Sequence, residues 1–161
     1  MEKLTVLLLL CASIALGDTH PVQSSDWYKY GCPLGWNTYG SRCFKYVKAK
    51  RSWADSALNC MALGGSLASV HSLLEYKFIQ ALILETTGKL PSTWLGGYDA
   101  VVEGRWMWSD GSSFDYTNWN TGEPNDAGVG EDCLQMDASQ EKSWFDVPCK
   151  YAFASLCSRR M

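Results

Sequence analysis

Hydrophobic and polar residues follow different patterns along the chain, and the pattern at its start predicts a targeting segment. Glu2 and Lys3 precede an apolar run from Leu4 to Leu16, which ends at small residues around Gly17. This layout is typical of a secretory signal peptide, and the run is well short of the roughly 20 apolar residues that a membrane-spanning helix needs. We therefore predict a signal peptide at residues 1–17 and a secreted, extracellular protein without a membrane anchor.

Two amphipathic helices are predicted after a polar segment at residues 18–31, which lacks periodicity and is expected to be flexible. Ser52 is followed three residues later by Asp55, a capping-box pattern. The buried stripe expected for this helix is Trp53, Ala57, Cys60 and Met61. Ser72 and Glu75 repeat the capping pattern beyond Gly64-Gly65, which ends the first helix. The stripe expected for the second helix is Leu74, Phe78, Leu82 and Ile83.

Strand-like alternation lies on both sides of these helices. It is found at Arg42–Val47 before them and at Thr93–Gly96 and Trp106–Trp108 after them, bounded by glycine, aspartate, asparagine and serine. Helices and strands that are segregated along the chain are typical of an α+β fold. We predict one α+β domain over residues 32–161, with two helices and short antiparallel strands.

A stretch between about Ser109 and Gly130 has almost no regular pattern. Irregular loops of this length inside a compact domain are usually functional or disordered. Phe114, Tyr116 and Trp119 would anchor the loop by burial, so we predict an ordered functional loop.

Six of the seven cysteines remain in the mature chain, because only Cys11 lies in the predicted signal peptide. An even number suits a closed disulfide set in an oxidising compartment. A zinc site would need a close cysteine pair or clustered histidines, whereas His20 and His71 are far apart. Spacing alone does not rank the pairings among Cys32, Cys43, Cys60, Cys133, Cys149 and Cys157.

The formal net charge of −3 argues against a nucleic-acid partner, because phosphate binding normally shows as a basic excess or stripe. The one basic stretch is interpreted as a solvated face. It comprises Lys45, Lys48, Lys50 and Arg51.

Acidic and amide residues are concentrated in about a third of the chain: Asp99, Glu103, Asp115, Asn118, Asn120, Glu123, Asn125, Asp126, Glu131, Asp132, Asp137 and Asp146. Carboxylates gathered in one loop repel one another unless a cation neutralises them. Such hard oxygen donors select Ca²⁺, which takes about 6–8 oxygens, rather than Mg²⁺, which keeps its waters. The alternative is a polar surface loop whose Asn and Asp residues serve only its turns.

Several ordered motifs resemble those of the C-type lectins, over about Cys32 to Cys157. The sugar-binding signature of that family is matched by Glu123-Pro124-Asn125, Gly130-Glu131-Asp132-Cys133 and Trp144-Phe145-Asp146-Val147-Pro148-Cys149. The core motifs of the family are matched by Trp94-Leu95-Gly96-Gly97 and Trp106-Met107-Trp108-Ser109-Asp110-Gly111.

The resemblance implies a C-type lectin-like fold with disulfides Cys32–Cys43, Cys60–Cys157 and Cys133–Cys149. It implies Ca²⁺ as cofactor, with Glu123, Asn125, Glu131 and Asp146 as principal ligands that also bind carbohydrate, and with a cis peptide at Pro124. It also implies an auxiliary Ca²⁺ site that stiffens the loop, formed by Asp99, Glu103, Asp126, Glu131 and Asp132.

The Glu-Pro-Asn order is the mannose-type form of the family signature, so the implied partners are mannose-type glycans on cell or microbial surfaces. One position departs from the family: Phe145 replaces an asparagine that would ligate the ion and donate to the sugar. A non-enzymatic lectin is therefore the first hypothesis. A type II antifreeze-like ice-binding protein and a domain with a non-sugar ligand are alternatives, and a homo-oligomer is left open.

A glycoside hydrolase is disfavoured, although paired carboxylates such as Glu123 and Glu131 are the groups that such enzymes use. Carboxylates that ligate a metal are held ionised, so they are unsuited to act as general acids.

Overall fold

The structure is a computed structural model, and it describes residues 31–128, 130–137 and 143–161. The predicted signal peptide lies outside these residues, as does the predicted flexible segment except for Gly31. Within the described part, neither helix has the length and hydropathy to cross a membrane.

Helices and strands combine in an α+β arrangement, as predicted. In chain order the elements are β1 (Asn37–Tyr39), β2 (Arg42–Arg51), α1 (Trp53–Ala62), β3 (Ser66–Leu67), α2 (Leu73–Thr87), β4 (Thr93–Tyr98), β5 (Met107–Trp108), β6 (Cys133–Met136), β7 (Trp144–Val147) and β8 (Phe153–Arg160). The strands form one sheet in the order β1-β2-β8-β4-β6-β7, and β3 and β5 join at β8 and β4. The β4 and β8 strands run parallel, whereas the other strand pairs are antiparallel.

Both helices begin at the predicted serines. The Ser52 hydroxyl accepts from the Asp55 N–H, and the Ser72 hydroxyl accepts from the Glu75 N–H, each at 3.1 Å. These contacts satisfy backbone donors that have no partner within the helix. The second helix ends at Gly88, whose left-handed backbone (φ 69°) lets its N–H bond to the Leu84 carbonyl.

The buried helix faces differ from the predicted stripes at two residues. Met61 is 64% exposed and Leu74 is 72% exposed, so both predictions of burial were wrong. In α2 the fully buried residues include Tyr76 and Ile79, so the buried face is rotated about the helix axis relative to the predicted stripe. Leucine and isoleucine occupy several faces of this helix, so periodicity alone did not select the buried one.

The core lies between the sheet and the helices, where β4 passes close to its neighbours. A Cβ atom on Gly96 would lie 2.7 Å from the Leu67 carbonyl oxygen, and one on Gly97 would lie 2.6 Å from a Leu134 methyl. Trp94 and Leu95, next to them, are fully buried. The Trp-Leu-Gly-Gly motif therefore combines two large core side chains with two positions that admit no side chain.

Three disulfides join Cys32 to Cys43, Cys60 to Cys157 and Cys133 to Cys149, which confirms the implied pairing. The second closes a loop with a sequence separation of 97 residues and the third one of 16. A chain-entropy model gives about 4.7 kcal/mol for a loop of ~100 residues and about 3 kcal/mol for one of ~15. The third bridge joins Cys133, the first residue of β6, to Cys149, which follows the end of β7.

Candidate metal and ligand site in the long loop

Aromatic side chains hold the long loop against the core. The Phe114 ring stacks on Trp108 at 4.6 Å between centroids, and the Trp119 ring meets Trp106 edge-on at 4.7 Å. The Tyr116 and Trp119 rings also pack on Trp144, which is fully buried. The loop is therefore ordered through burial rather than through regular secondary structure, as predicted.

Backbone hydrogen bonds fix the loop to β7 at one point. The N–H groups of Ser143 and Trp144 both donate to the Asn118 carbonyl, and the Asn120 N–H donates to the Trp144 carbonyl at 3.0 Å. These bonds attach the loop beside Asp146, which lies two residues beyond Trp144 in β7. The side chains that follow Asn120 are thereby brought to the end of the sheet where Asp146 is found.

Hydrogen bonds connect three residues of the predicted principal site, Glu123, Asn125 and Asp146. The fourth, Glu131, interacts with Glu123 through charge repulsion. The Glu123–Pro124 peptide is cis, as the resemblance implied, and the Asn125 amide donates to Glu123 Oε2 at 2.6 Å. The Asp146 carboxylate accepts from the Asn125 N–H at 2.9 Å and from the Asp126 N–H at 2.7 Å. Glu131 accepts from the Ala127 N–H at 2.9 Å, which turns its carboxylate toward the same segment.

The carboxylates of this set have no ion-pair partner in residues 31–128, 130–137 and 143–161. Burial and the neighbouring Asp146 and Glu131 raise the pKa of Glu123 to about 7. Burial is also the main cause that raises the pKa of Glu131 above its usual range. The ion pairs found in the described part of the chain join Arg42 to Glu75 and Asp110, and His71 to Asp115. None of these ion pairs within the described residues compensates the negative charge at the loop.

Three carboxylates of the predicted auxiliary site are gathered more tightly. Asp99, Glu103 and Asp132 each place one oxygen within 4.8 Å of the others. Asp126 lies close enough to raise the pKa values of Asp99 and Glu103 through charge repulsion, after the larger effect of burial. Asp126 also connects the two sets, because its Oδ1 accepts from the Glu131 N–H at 3.0 Å.

One oxygen of Asp99 is the clearest sign that a cation fits here. Asp99 is only 1% exposed, and its Oδ2 accepts from the Gly104 N–H at 2.9 Å. Its Oδ1 is buried without a hydrogen-bond partner among the described residues. An unpaired buried carboxylate oxygen is costly. A hard cation held by Asp99, Glu103 and Asp132 would remove that cost, and this donor set suits Ca²⁺.

Phe145 is half-buried in β7, opposite Gln135 in β6. Asp146 follows it in the strand and is 4% exposed. A phenyl ring offers neither a metal ligand nor a hydrogen-bond donor, so Phe145 cannot supply the oxygen and the amide that the resemblance implies for this position.

The sequence analysis missed a second polar network next to the loop. The sequence analysis considered His71 only when it argued against a zinc site. In the structure its Nδ1 lies 2.9 Å from Asp115 Oδ1 and its Nε2 lies 3.0 Å from Ser69 Oγ. The Ser69 and Ser112 hydroxyls both donate to Asp110, each at 2.5 Å. An Asp-Gly-Ser turn signal was present at residues 110–112, but nothing in the sequence pointed to His71 or Ser69 as its partners.

Comparisons with known proteins agree with this architecture. A family model described as Lectin C-type domain matches residues 49–159. Ladderlectin of Oncorhynchus mykiss is 40% identical over 176 residues, which cover 96% of this chain and 92% of that protein. The galactose-specific lectin nattectin of Thalassophryne nattereri is 36% identical over 157 residues, 98% of this chain and 96% of that protein.

Solved structures give the same picture. A Ca²⁺-dependent type II antifreeze protein in its Ca²⁺-free form superposes with a TM-score of 0.73 and 40% identity, covering 80% of this chain and 99% of that chain. A calcium-independent type II antifreeze protein also superposes with a TM-score of 0.73, at 37% identity, covering 81% of this chain and 95% of that chain.

Proposed function

The chain belongs to the C-type lectin family, and from this premise we propose that it is a secreted, calcium-dependent carbohydrate-binding protein for mannose-type glycans. The observation that carries the proposal is the set of carboxylates around the cis Glu123–Pro124 peptide and Asp146, which no ion pair of the described residues compensates. Carboxylates held together without a basic partner favour a divalent cation. The charge and the fold together therefore support a binding function rather than catalysis.

Two groups of residues would hold calcium. Glu123, Asn125, Glu131 and Asp146 would form the principal site, and Asp99, Glu103, Asp126 and Asp132 with Glu131 would form the auxiliary site. Calcium, when bound at the principal site, would supply open coordination positions for two neighbouring sugar hydroxyls. The auxiliary site would stiffen the loop without touching the sugar.

Side chains of the principal site can satisfy each sugar hydroxyl twice. A carboxylate oxygen such as that of Glu123 accepts from a hydroxyl, and an amide such as that of Asn125 donates to one. The bond of 2.6 Å between these two side chains supports this proposal, because it holds the donor and the acceptor side by side. Mannose-type specificity rests on this Glu-Pro-Asn order, and Phe145 lowers the expected affinity because one amide donor is missing.

A mannan column tests the proposal directly. We expect retention in millimolar Ca²⁺ and elution by EDTA or by mannose, with galactose at the same concentration eluting little. The Glu123→Ala variant is expected to pass through unretained. Retention that persists in EDTA, or in Glu123→Ala, contradicts the proposal.

A double variant tests whether sugar specificity depends on the order of the two residues that flank Pro124. Glu123→Gln combined with Asn125→Asp keeps oxygen ligands at both positions and reverses their order, so we expect weaker mannose binding and a gain for galactose. Glu85→Ala, which removes an exposed carboxylate of α2, is the matched control and should bind mannan normally. A double variant that still prefers mannose would show that specificity lies elsewhere.

Ice binding is the second candidate function, favoured by the similarity to type II antifreeze proteins and by Phe145. Loss of the sugar-binding asparagine would matter little if the loop contacts ice instead. Thermal hysteresis and faceted ice crystals, without retention on mannan, would support this function over the first.

A further inference from the structure

His71 lies at the entry to α2, where the helix meets the start of the long loop. Its backbone N–H donates to Glu75 Oε2 at 2.8 Å, which attaches the residue to the first turn of the helix. Its ring stands edge-on to Trp108, with 6.4 Å between the centroids. The contacts described for this ring include none of the proposed calcium ligands.

The Nδ1 atom of this ring faces a group that can only accept a hydrogen bond. It lies 2.9 Å from Asp115 Oδ1. This hydrogen bond is the largest of the causes that lower the pKa of Asp115 below its usual range, so the carboxylate is ionised at neutral pH. An ionised carboxylate has no proton to donate. The contact is therefore a hydrogen bond only when Nδ1 carries the proton.

The Nε2 atom faces two hydroxyls whose protons are already used. It lies 3.0 Å from Ser69 Oγ and 3.2 Å from Ser112 Oγ. Each hydroxyl has one proton and donates it to Asp110 at 2.5 Å. Burial alone would raise the pKa of Asp110, but these hydrogen bonds and a smaller contribution from Arg42 hold it below the usual range. Asp110 is therefore ionised, and the two hydroxyls can only accept from Nε2.

Protons at both ring nitrogens are needed to complete this network. A neutral imidazole has one N–H and one acceptor nitrogen, so it would leave one of the two contacts without a proton. Ser69 shows how fully the network is used, because its hydroxyl accepts from Arg42 Nη2 at 2.9 Å and donates to Asp110. Its remaining lone pair faces Nε2. The arrangement of donors and acceptors thus selects the imidazolium form of His71.

Charged groups from several elements surround the imidazolium. They are Arg42 of β2, Glu75 of α2, Asp110 and Asp115 in the loop region, and Arg159 and Arg160 of β8, which line a cleft together with His71. Glu75 Oε1 pairs with Arg42 Nη1 at 2.6 Å, so the charge of that guanidinium is neutralised within the protein. The β8 arginines oppose protonation of the ring, whereas the two aspartates, one in direct contact with it, favour protonation.

Asp115 carries the effect of this charge into the long loop. It lies between Phe114 and Tyr116, whose rings pack on the core residues Trp108 and Trp144. We propose that His71 is a pH-sensitive clasp: as an imidazolium it joins the entry of α2 to Asp115 and to the turn at residues 110–112, and loss of one proton releases one of these contacts.

The sign of the pH dependence follows from the contacts. A group that holds its proton more firmly in the folded chain than in the unfolded chain stabilises the fold at low pH, and this contribution is lost as the pH rises. Histidine changes its charge between about pH 5 and 8. The clasp should therefore tighten as the pH falls through this range.

The first test reads the protons of the ring by ¹⁵N NMR of the mature, disulfide-bonded chain in EDTA, from pH 5.5 to 9. The His20→Gln background leaves His71 as the one histidine of the chain, so the ring signals need no further assignment. We expect both ring nitrogens to be protonated at the acidic end. In Asp115→Asn the ring should lose its second proton at a pH lower by about 0.5, because a charged acceptor becomes neutral.

The second test compares thermal unfolding of the wild-type chain and His71→Gln in EDTA. The difference between their midpoints should be about 2 °C larger at pH 6 than at pH 8. Both chains have the same carboxylates in the calcium loop, so the pH dependence of those groups cancels in the difference. His20→Gln is the matched control, because it removes the other histidine, and its difference from the wild-type chain should not change with pH.

Hydrogen exchange measured by mass spectrometry locates the effect. At pH 6 the amides of residues 112–120 should exchange about threefold faster in His71→Gln than in the wild-type chain, and at pH 8 the two chains should be alike. The amides of β6 should exchange equally in the two chains at both pH values. This pattern separates a clasp on the loop from a general loss of stability.

Three results would overturn the proposal. They are loss of the second proton at the same pH with and without the Asp115 carboxylate, a midpoint difference between the wild-type chain and His71→Gln that does not depend on pH, and equal changes of exchange in the loop and in β6. All measurements are made without calcium or sugar, so failure of the calcium-dependent lectin function does not affect their outcome.

Discussion

The two acidic sets of the loop differ in how far the protein satisfies their oxygens. In the principal set, Asp146 accepts two backbone N–H bonds and Asn125 donates to Glu123. In the auxiliary set, Asp99 keeps a buried oxygen without a partner among the described residues. The two sets therefore differ in their demand for a cation, through the pairing of their oxygens as well as through their number of carboxylates. We expect the auxiliary set to couple calcium mainly to folding, and the principal set to couple it mainly to ligand binding.

The largest effect is expected from Asp146→Ala. This change removes the acceptor of the Asn125 and Asp126 N–H groups and a proposed calcium ligand together. Hydrogen bonds to a charged group contribute about 1.5–3 kcal/mol each, so mannose binding should fall more than about 100-fold. Isothermal titration with mannose in calcium measures the loss, with Glu85→Ala as control. Unchanged affinity would show that Asp146 orders the loop without serving the ligand.

A gain of about 10- to 100-fold in mannose affinity is expected from Phe145→Asn, which restores one amide donor and one oxygen ligand. The same titration measures it, with Phe145→Ala as the variant that removes the ring and adds no polar group. Equal affinity in both variants would mean that the missing asparagine is not what limits the site. This result would also sharpen the choice between sugar and ice as ligand.

These two predictions depend on details that the sequence supplied unevenly. Helix caps such as Ser52 and Ser72 can be recognised from the local sequence, because a hydroxyl three positions before an acidic residue can accept a hydrogen bond from the N–H of that residue. The motifs around Glu123 and Asp146 were recognisable as a set. The face that α2 buries was not, because apolar residues occupy several faces of the helix. Tyr76 and Ile79 are selected only by their place in the core cluster of the folded chain.

Contacts between distant residues were also beyond the sequence. His71 meets Asp115 across 44 positions and Arg42 meets Ser158 across 116. No sequence pattern around His71 or Arg42 predicts the residue that each of them contacts. The unpartnered oxygen of Asp99 likewise depends on burial, which depends on the completed sheet.

Asp99→Asn should have opposite effects with and without calcium. In EDTA it removes a buried negative charge beside Glu103 and Asp132, so the midpoint of thermal unfolding should rise by about 3 °C. In calcium it weakens the proposed auxiliary site, so the calcium-induced rise of the midpoint should shrink. Differential scanning calorimetry in both conditions measures this, with Glu85→Gln, which removes an exposed carboxylate of α2, as the control. A lower midpoint in EDTA would show that the Asp99 charge is stabilising without the ion.

The smallest effect expected is a dependence of stability on pH whose sign calcium reverses. Burial raises the pKa of Glu123 to about 7, and the pKa values of Glu131 and Asp99 are also raised. The folded, ion-free chain therefore takes up protons more readily than the unfolded chain, whose glutamates titrate near ~4.3. Its stability should increase as the pH falls from about 8 to about 5.5, because protonation relieves the repulsion. With calcium the trend should invert, since protons compete for the same oxygens. Unfolding midpoints that decrease toward pH 5.5 in EDTA as well as in calcium would show that these carboxylates are not stabilised by protonation in the folded chain.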